Sequence, residues 1–326
     1  MNQKLKVCIT GSTGLVGSEA VKFFEEKGWE VVGIDNNGRS KTLGTPEKYA
    51  ALDVDITNQE DVETLFMHNT FDAVIHTAAQ PSHDYSKQHV RYDFEVNVIG
   101  TFNLLAATRH HSPNAVFIHC STDKIYGAGM TRQGLIEGET RVDSLFPFTE
   151  TTPIISPLSP FGVSKLAADF YAQEYAKQGW LTTGIFRMGC ITGRNHEGAE
   201  MHGFLAYLTK CIKEGNTYTI FGFQGKQIRD QIHAYDLVNA FYHFIQNPRS
   251  GEVYNMGGGE ERAVSPLEAG EMISKKLGKP FNYELDEGRF GDRQWDVHDV
   301  TKFRATYPEW NYTYSLEDII NDLCGI

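Results

Sequence analysis

Short apolar runs alternate along the first half of the chain with segments whose apolar residues recur every three or four positions. Such alternation predicts buried strands interleaved with helices. A strand is expected at Lys6–Thr10 and a helix from Leu15 to about Lys27. Further strands are expected at Glu30–Ile34, around Tyr49–Val54, at Ala73–Thr77 and at Ala115–Cys120. Phe94, Val98, Phe102 and Leu105 stand at helical spacing and predict one long core-facing helix over Val90–Thr108.

After Tyr126 the pattern changes. Gly127–Pro160 carries Gly127, Gly129, Gly134, Gly138 and four prolines, and predicts mostly loop. A helix over Phe161–Lys177, ended by Gly179, and a strand at Leu181–Arg187 follow. Beyond them helices are expected near Gly203–Glu214, at Tyr235–Gln246, around Pro266–Leu277 and at Leu316–Leu323, with a strand at Tyr218–Phe221. The fold class predicted is α/β: a Rossmann-type doubly wound parallel sheet over residues 1–186, and a smaller C-terminal α/β substrate-binding lid over 187–326, with segments crossing back.

Composition adds limits. A length of 326 residues fits about two domains. Lys plus Arg number 30 against 42 Asp plus Glu, a net charge of −12, which argues against nucleic acid or an anionic membrane as the main partner. No apolar run approaches the roughly 20 residues of a membrane span, and the start of the chain runs straight into a strand pattern with no room for a signal peptide. Five cysteines, Cys8, Cys120, Cys190, Cys211 and Cys324, are scattered and lack metal-ligand spacing, so no metal is expected and a reduced, cytoplasmic compartment fits.

Between the first strand and the first helix lies Gly11-Ser12-Thr13-Gly14-Leu15-Val16-Gly17. Gly11 allows the tight turn, Gly14 admits a pyrophosphate to the backbone, and Gly17 permits close helix–strand packing, with the helix N-terminus facing the phosphates. Asp35 closes the second strand about 20 residues on, where a carboxylate bonds the adenosine ribose hydroxyls and repels a 2′-phosphate. NAD is therefore favoured over NADP, with Asn36 and Arg39 beside the same ribose; Arg39 weakens that preference. Asp55-Ile56 fits the adenine, or else Asp55 caps a helix.

These residues, with His76-Thr77-Ala78-Ala79-Gln80, Asn97, Ser121-Thr122-Asp123-Lys124-Ile125-Tyr126-Gly127 and Ser159-Pro160-Phe161-Gly162-Val163-Ser164-Lys165, resemble the extended short-chain dehydrogenase/reductase superfamily, in its sugar-nucleotide epimerase and dehydratase branch. The resemblance implies cofactor contacts from Ala78, Ala79, Gln80 and Lys165, and a bracing role for Asn97. It also implies a Tyr-x-x-x-Lys pair that works with an upstream hydroxyl. There the tyrosine takes a proton from the sugar hydroxyl as hydride passes to the nicotinamide. The lysine lowers the tyrosine pKa and holds the nicotinamide ribose. By that matching Lys165 is the lysine and Thr122 the hydroxyl partner.

The tyrosine position holds Phe161, which has no proton to exchange. Either the chain is a weakened form of a tyrosine enzyme, or Asp123, Lys124 or Tyr126 moves the proton. A catalytically silent binder is a third reading. Thr122-Asp123 is also seen in 4,6-dehydratases, although Lys124 stands where a glutamate base usually follows.

Gly193-Arg194-Asn195, His202-Gly203-Phe204, the run Gly225 to His233, and Asp292-Arg293-Gln294 resemble the CDP-paratose 2-epimerase (CDP-tyvelose epimerase) group. That resemblance implies C2 epimerisation of a CDP-dideoxyhexose through a transient keto sugar with tightly held NAD. Arg229 and Arg293 are expected on the substrate diphosphate, since guanidinium forks suit phosphate oxygens; the alternative for each is a surface salt bridge to Asp230 or Asp292. Arg194 is a third candidate, and Gln80, Ser82 and His83 are expected in the loop facing the sugar. A homodimer is implied, built on the helices Val90–Thr108 and Phe161–Lys177.

Overall fold

The computed structural model describes residues 4–38, 51–127, 134–155, 158–196, 203–288 and 292–326; Arg39 and His202 lie outside them. The chain makes two compact units, each from three stretches. Met1–Thr122, Pro160–Arg187 and Leu237–Tyr254 form the first; Asp123–Ser159, Met188–Asp236 and Asn255–Ile326 form the second. Residues 123–159 thus belong with the second unit and 237–254 with the first, on either side of the expected boundary at 186.

The first unit carries a seven-stranded sheet. Its strands are β1 (Lys6–Thr10), β2 (Glu30–Asp35), β3 (Leu52–Asp53), β4 (Ala73–His76), β5 (Val116–Thr122), β6 (Thr182–Met188) and β7 (Glu252–Met256), in the order β7-β6-β5-β4-β1-β2-β3. Pairing is parallel from β3 across to β5, with Val7 of β1 opposite Val31 on one side and Ala73 on the other. Strand order reverses between β1 and β4, the place where an open α/β sheet leaves a crevice for a ligand. Val7, Cys8, Ile9, Val74, Ile75, Phe117 and Ile118 are wholly buried, as expected of strands covered on both faces.

Helix α1 (Leu15–Glu26) follows β1, and α2 (Gln59–Met67) follows β3. α2 went unread in the sequence although its signals are present. Asn58 caps it by accepting from the Glu60 N–H, two acidic residues fill its first turn, and Val62, Leu65 and Phe66 pack in the same apolar cluster as Leu104, Leu105 and Phe117. α3 (His83–Gln88) is a further addition, capped by Ser82.

The long helix expected over Val90–Thr108 is a composite. α4 (Val90–Phe94) passes through a π-helical stretch, Glu95–Gly100, into α5 (Thr101–His111). The π turns interrupt the regular 3.6-residue repeat in the middle of this run. Val98 and Leu105 are buried, whereas Phe94 is 49% and Phe102 42% exposed, against the expectation that all four face the core. α6 (Pro160–Lys177) matches its expected span closely.

The second unit centres on the strand Ile228–His233. It pairs antiparallel with Ala263–Val264, and parallel with Trp295–Asp296 and Cys190–Thr192. All six of its residues are buried, including Arg229, Asp230, Gln231 and His233. A run this polar carries neither an apolar nor an alternating pattern, which is why the sequence did not predict the strand. The helices Phe204–Glu214, Pro266–Leu277 and Leu316–Cys324 bury Leu208, Ile212, Ile273, Ile319 and Ile320 together. The two latter helices open on capping boxes, Ser265 with Glu268 and Ser315 with Asp318. The stretch expected as loop contains a short hairpin, Leu135–Glu137 against Val142–Ser144.

Candidate active site

In the first unit the turn after β1 is shaped by absent side chains. Gly11 has φ +66°, and a Cβ there would lie 2.7 Å from the Ala78 backbone nitrogen. A Cβ on Gly17 would meet the Gly11 carbonyl at 2.0 Å, so α1 can approach β1 only with glycine at that position. Gly14 caps α1 without a side-chain hydrogen bond, leaving an anion-binding helix end, and the Ser12 hydroxyl is buried beside it with no hydrogen-bond partner. Leu15 and Val16 open the helix half-buried.

At the end of β2, Asp35 accepts from the Thr13 hydroxyl at 2.8 Å, the Thr13 N–H at 3.2 Å and the Asn37 N–H at 2.8 Å. Asp55 accepts from the Thr57 N–H and hydroxyl, each at 2.8 Å, and from Asn36 Nδ2 at 3.1 Å. Burial pushes the Asp55 carboxyl up, but these three donors outweigh it and hold it below its ordinary value. Asp55 is not a helix cap; Asn58 takes that place, and Ile56 is buried in the apolar core. A glycine-rich turn, a helix end with uncapped amides and a carboxylate at the end of β2 together fit a dinucleotide.

Lys165, on α6, is 4% exposed, and its Nζ donates to the Cys120 carbonyl at 2.5 Å. Burial lowers its pKa, against the opposing pull of Cys120, Asp169 and Asp93. Phe161, one turn earlier, is buried, and its backbone N–H donates to Ser86 Oγ at 3.2 Å. Thr122 ends β5, half-buried. Neighbouring His76 is bonded to Thr10 and Thr101 and, through burial and the Lys165 charge, falls to about 3; it is neutral.

Three residues expected to face the sugar are placed by the structure as follows. The Gln80 side chain is not open to a ligand: Nε2 donates to Asp93 Oδ1 at 2.7 Å and to the Ser82 carbonyl, and Oε1 accepts from the Ser82 N–H at 2.6 Å. Ser82 Oγ accepts from the Tyr85 N–H as the cap of α3, and His83 is the first residue of that helix rather than part of a loop. Asn97 bonds the backbone of Gln80 at both its N–H and its carbonyl, and donates to Ser164 Oγ at 3.1 Å.

The second unit holds a buried ionic cluster. Arg293, 1% exposed, donates to the carboxylates of Asp123 and Asp296 and to the Asp123 carbonyl. Lys124 Nζ lies 3.2 Å from each of the same two carboxylates. Arg229 pairs with Asp292 and donates to the Ile228 carbonyl. His298 Nδ1 bonds Asp230 Oδ1 at 3.0 Å, its own N–H bonds Asp230 Oδ2, and its ring stacks on Phe148. A Cβ on Gly257 would lie 2.2 Å from Asp230 Oδ2, so only glycine leaves room for that carboxylate.

Neither Arg229 nor Arg293 is therefore a surface residue with a free fork. Arg229 has the alternative partner foreseen for it, Asp292, in a buried pair; Arg293 pairs with Asp123 and Asp296 instead. Arg194 is 72% exposed and binds Asp322 through Nε and its backbone N–H.

Burial opposes the charge on Lys124, but Asp123 and Asp296 overcome it and raise its pKa, so it is a cation rather than a base. Tyr126 is wholly buried, and its hydroxyl donates to Asn255 Oδ1 at 2.7 Å. Asp123, Asp296 and His298 bring ligand atoms within 4.8 Å of one another, yet Arg293 and Lys124 already fill the space with positive charge.

The model of the NAD dependent epimerase/dehydratase family matches residues 7–257. This chain belongs to that family. A CDP-paratose 2-epimerase of Salmonella typhi is 30% identical over 96% of both chains. A dTDP-glucose 4,6-dehydratase of Escherichia coli is 29% identical over 79% of this chain and 73% of its own. The crystal structure of a Thermus thermophilus UDP-glucose 4-epimerase complexed with NAD superposes with a TM-score of 0.82 at 26% identity, covering 98% of each chain. The cofactor of the family is NAD, and the turn after β1 fits it.

Asp93, Ser86, Asp296 and His298 were missed as contributors. Asp296 and His298 stand two apart, so an extended segment turns both to one side, a signal present in the sequence. Asp93 and Ser86 act through amides, which no motif announces. All five cysteines are free, and among the described residues no helix is long and apolar enough to cross a membrane.

Burial disfavours the charged form of His298, but Asp230 outweighs it and lifts the pKa to about 9. A raised histidine stabilises fully below its unfolded pKa and loses that contribution as pH climbs through the folded value. Urea unfolding should therefore show stability falling by roughly 3 kcal/mol between pH 6.5 and 9.5, and His298→Gln should flatten that limb.

Proposed function

We propose that this NAD-dependent family member is a nucleotide-sugar epimerase that inverts C2 of a CDP-dideoxyhexose of the paratose/tyvelose type. The observation that carries the substrate is the match to a CDP-paratose 2-epimerase over 96% of both chains. Supporting the chemistry is the buried Lys165 ammonium on the same face of α6 as position 161, with Thr122 ending β5.

Oxidation of a C2 hydroxyl removes a hydride and a proton, and epimerisation returns both after the sugar turns over. NAD supplies the hydride acceptor and donor. Gly11, Thr13, Gly14, Leu15, Val16, Gly17, Asp35, Asn36, Arg39, Asp55, Ile56, Ala78, Ala79, Gln80 and Asn97 are assigned to holding it or bracing its site. Lys165 is assigned to the nicotinamide ribose, and Thr122 to the oxygen that gains and loses the proton. Position 161 is the acid–base place, and phenylalanine leaves it empty of a proton, so turnover in this chain is weak.

Arg229 and Arg293 are assigned to the diphosphate, which brings negative charge to replace that of Asp292 and Asp123; Arg194 is a third contact. Ser82 and His83 are left as pocket-edge residues. A 4,6-dehydratase would need Lys124 as its base, and the two carboxylates around that ammonium disfavour it. Tyr126 is a poor substitute acid, because its proton is committed to Asn255.

The partner of the apolar helix face is proposed to be a second copy. Val90, Phe94 and Phe102 on one helix run and Val163, Phe170 and Tyr171 on α6 are each more than two-fifths exposed, and the rings of Phe102 and Tyr171 are 5.8 Å apart. An exposed apolar area of this kind supports a binding surface, here assigned to a second copy.

Phe161→Tyr should raise C2 epimerisation of CDP-paratose or CDP-tyvelose by about 10²–10⁴. The check is anion-exchange separation of the two sugars with mass spectrometry. An epimer keeps its mass; a product that has lost water makes the protein a dehydratase; no product from the NAD-loaded variant makes it a binder. In sedimentation the parent should run as a dimer, and Phe102→Glu with Phe170→Glu as a monomer that still retains NAD.

A further inference from the structure

Asp93 is 1% exposed and lies on the last turn before the π-helical stretch. Its Oδ1 accepts from Gln80 Nε2 at 2.7 Å and from Asn97 Nδ2 at 3.1 Å. Asn97 Nδ2 also reaches Ser164 Oγ at 3.1 Å, and Ser164 Oγ donates to the Phe161 carbonyl at 3.1 Å. One carboxylate thus anchors both the loop leaving β4 and the turn of α6 that carries position 161 and Lys165. Neither hydrogen bond to it comes from a cation.

The charges facing Lys165 come from several elements. Cys120 and His119 lie on β5, His76 on β4, Asp169 on α6 itself and Asp93 on α4. His76 and His119 are both neutral, because burial pushes their pKa values down. Asp169 is already paired: Arg187 donates to it through Nε at 3.0 Å and Nη2 at 3.2 Å, and the Ser121 hydroxyl and Gln173 add further bonds. Its negative charge is matched by the Arg187 guanidinium. Among the described residues, Asp93 is the further negative charge that acts on the buried Lys165 ammonium.

We propose that Asp93 is a positioning residue for the reaction. It fixes the loop leaving β4 against the Ser164–Lys165 turn and, as the counter-charge to Lys165, keeps the ammonium in the form that holds NAD. The proposal rests on the assignment of Lys165 to the cofactor, but not on which sugar is the substrate.

The test reads NAD binding by calorimetry between pH 6 and 10, with thermal unfolding in parallel. Deprotonation of Lys165 should weaken binding on the alkaline side. Asp93→Asn keeps the shape and removes the charge, so its alkaline midpoint should fall by about one pH unit, with affinity near neutral pH about tenfold weaker. Ser164→Ala removes the bonds to Asn97 and to the Phe161 carbonyl and leaves the charge; it should lower the unfolding temperature with the midpoint unchanged.

Asp93→Glu restores the charge and should return the midpoint towards that of the parent. A folded Asp93→Asn protein with the parental midpoint overturns the proposal, as does a Ser164→Ala protein whose midpoint moves equally far. Should Asp93→Asn not fold, the Asp93→Glu and Ser164→Ala pair decides: parental midpoints in both support the charge role, and a midpoint lowered by Ser164→Ala overturns it. CDP-sugar turnover is not read, so a wrong substrate assignment leaves these outcomes intact.

Discussion

A charge removed from water must find its counter-charge inside the chain, and in both units that requirement organises the residues around the chemistry. In the first, Arg187 and Asp169 satisfy one another, and Lys165 rests on a carbonyl with Asp93 as a further counter-charge. In the second, Lys124, Arg229, Arg293 and His298 face Asp123, Asp230, Asp292 and Asp296, four side chains of each sign. Removing one member of a buried pair costs about 3–5 kcal/mol, because the other is left charged and unpartnered. Segments as distant in sequence as Asp123 and Arg293 are tied together by this balance.

The same balance bears on ligand binding. The ionic cluster carries matched charge, so a diphosphate cannot simply add to it; negative charge must be exchanged for negative charge. Arg229 is paired to Asp292 at the less buried side of the cluster, where the carboxylate is 22% exposed. Arg293 is held by two carboxylates and stacks its guanidinium over Phe148 at 4.7 Å. The first arginine thus has the weaker hold on its place, and the second is a framework for Asp123 and Asp296.

The strands of the parallel sheet and most helices were legible because burial on both faces leaves an unbroken apolar run, and helical spacing survives where the helix is regular. The turn after β1 was legible too, since Gly11 and Gly17 are required by contacts that any larger residue would violate. What escaped was polar or irregular. Ile228–His233 is a central strand made largely of charged and amide side chains. Phe94 and Phe102 are half exposed although they stand at helical spacing with the buried Val98, which no count of i to i+4 spacings could reveal. Gln80 and Ser82 were read as ligand groups because the loop after β4 faces the crevice, but their own hydrogen bonds consume them. The arginines were found by residue type, and their partners, Asp123 and Asp296, only in three dimensions.

Phe161 is the residue in which packing and chemistry part company. The hydrogen bonds at position 161 act on its backbone: Ser86 accepts from its N–H, and Ser164 donates to its carbonyl. None of these bonds needs a phenolic oxygen, so the helix turn keeps its place without one. Lys165 is different, because an ammonium buried against the Cys120 carbonyl is unfavourable unless something repays its lost hydration. A chain freed from any ligand would gain stability from an uncharged residue there. A buried Lys165 beside the glycine turn and Asp35 is therefore best explained by a dinucleotide that offsets that cost, whether or not a proton can move at position 161.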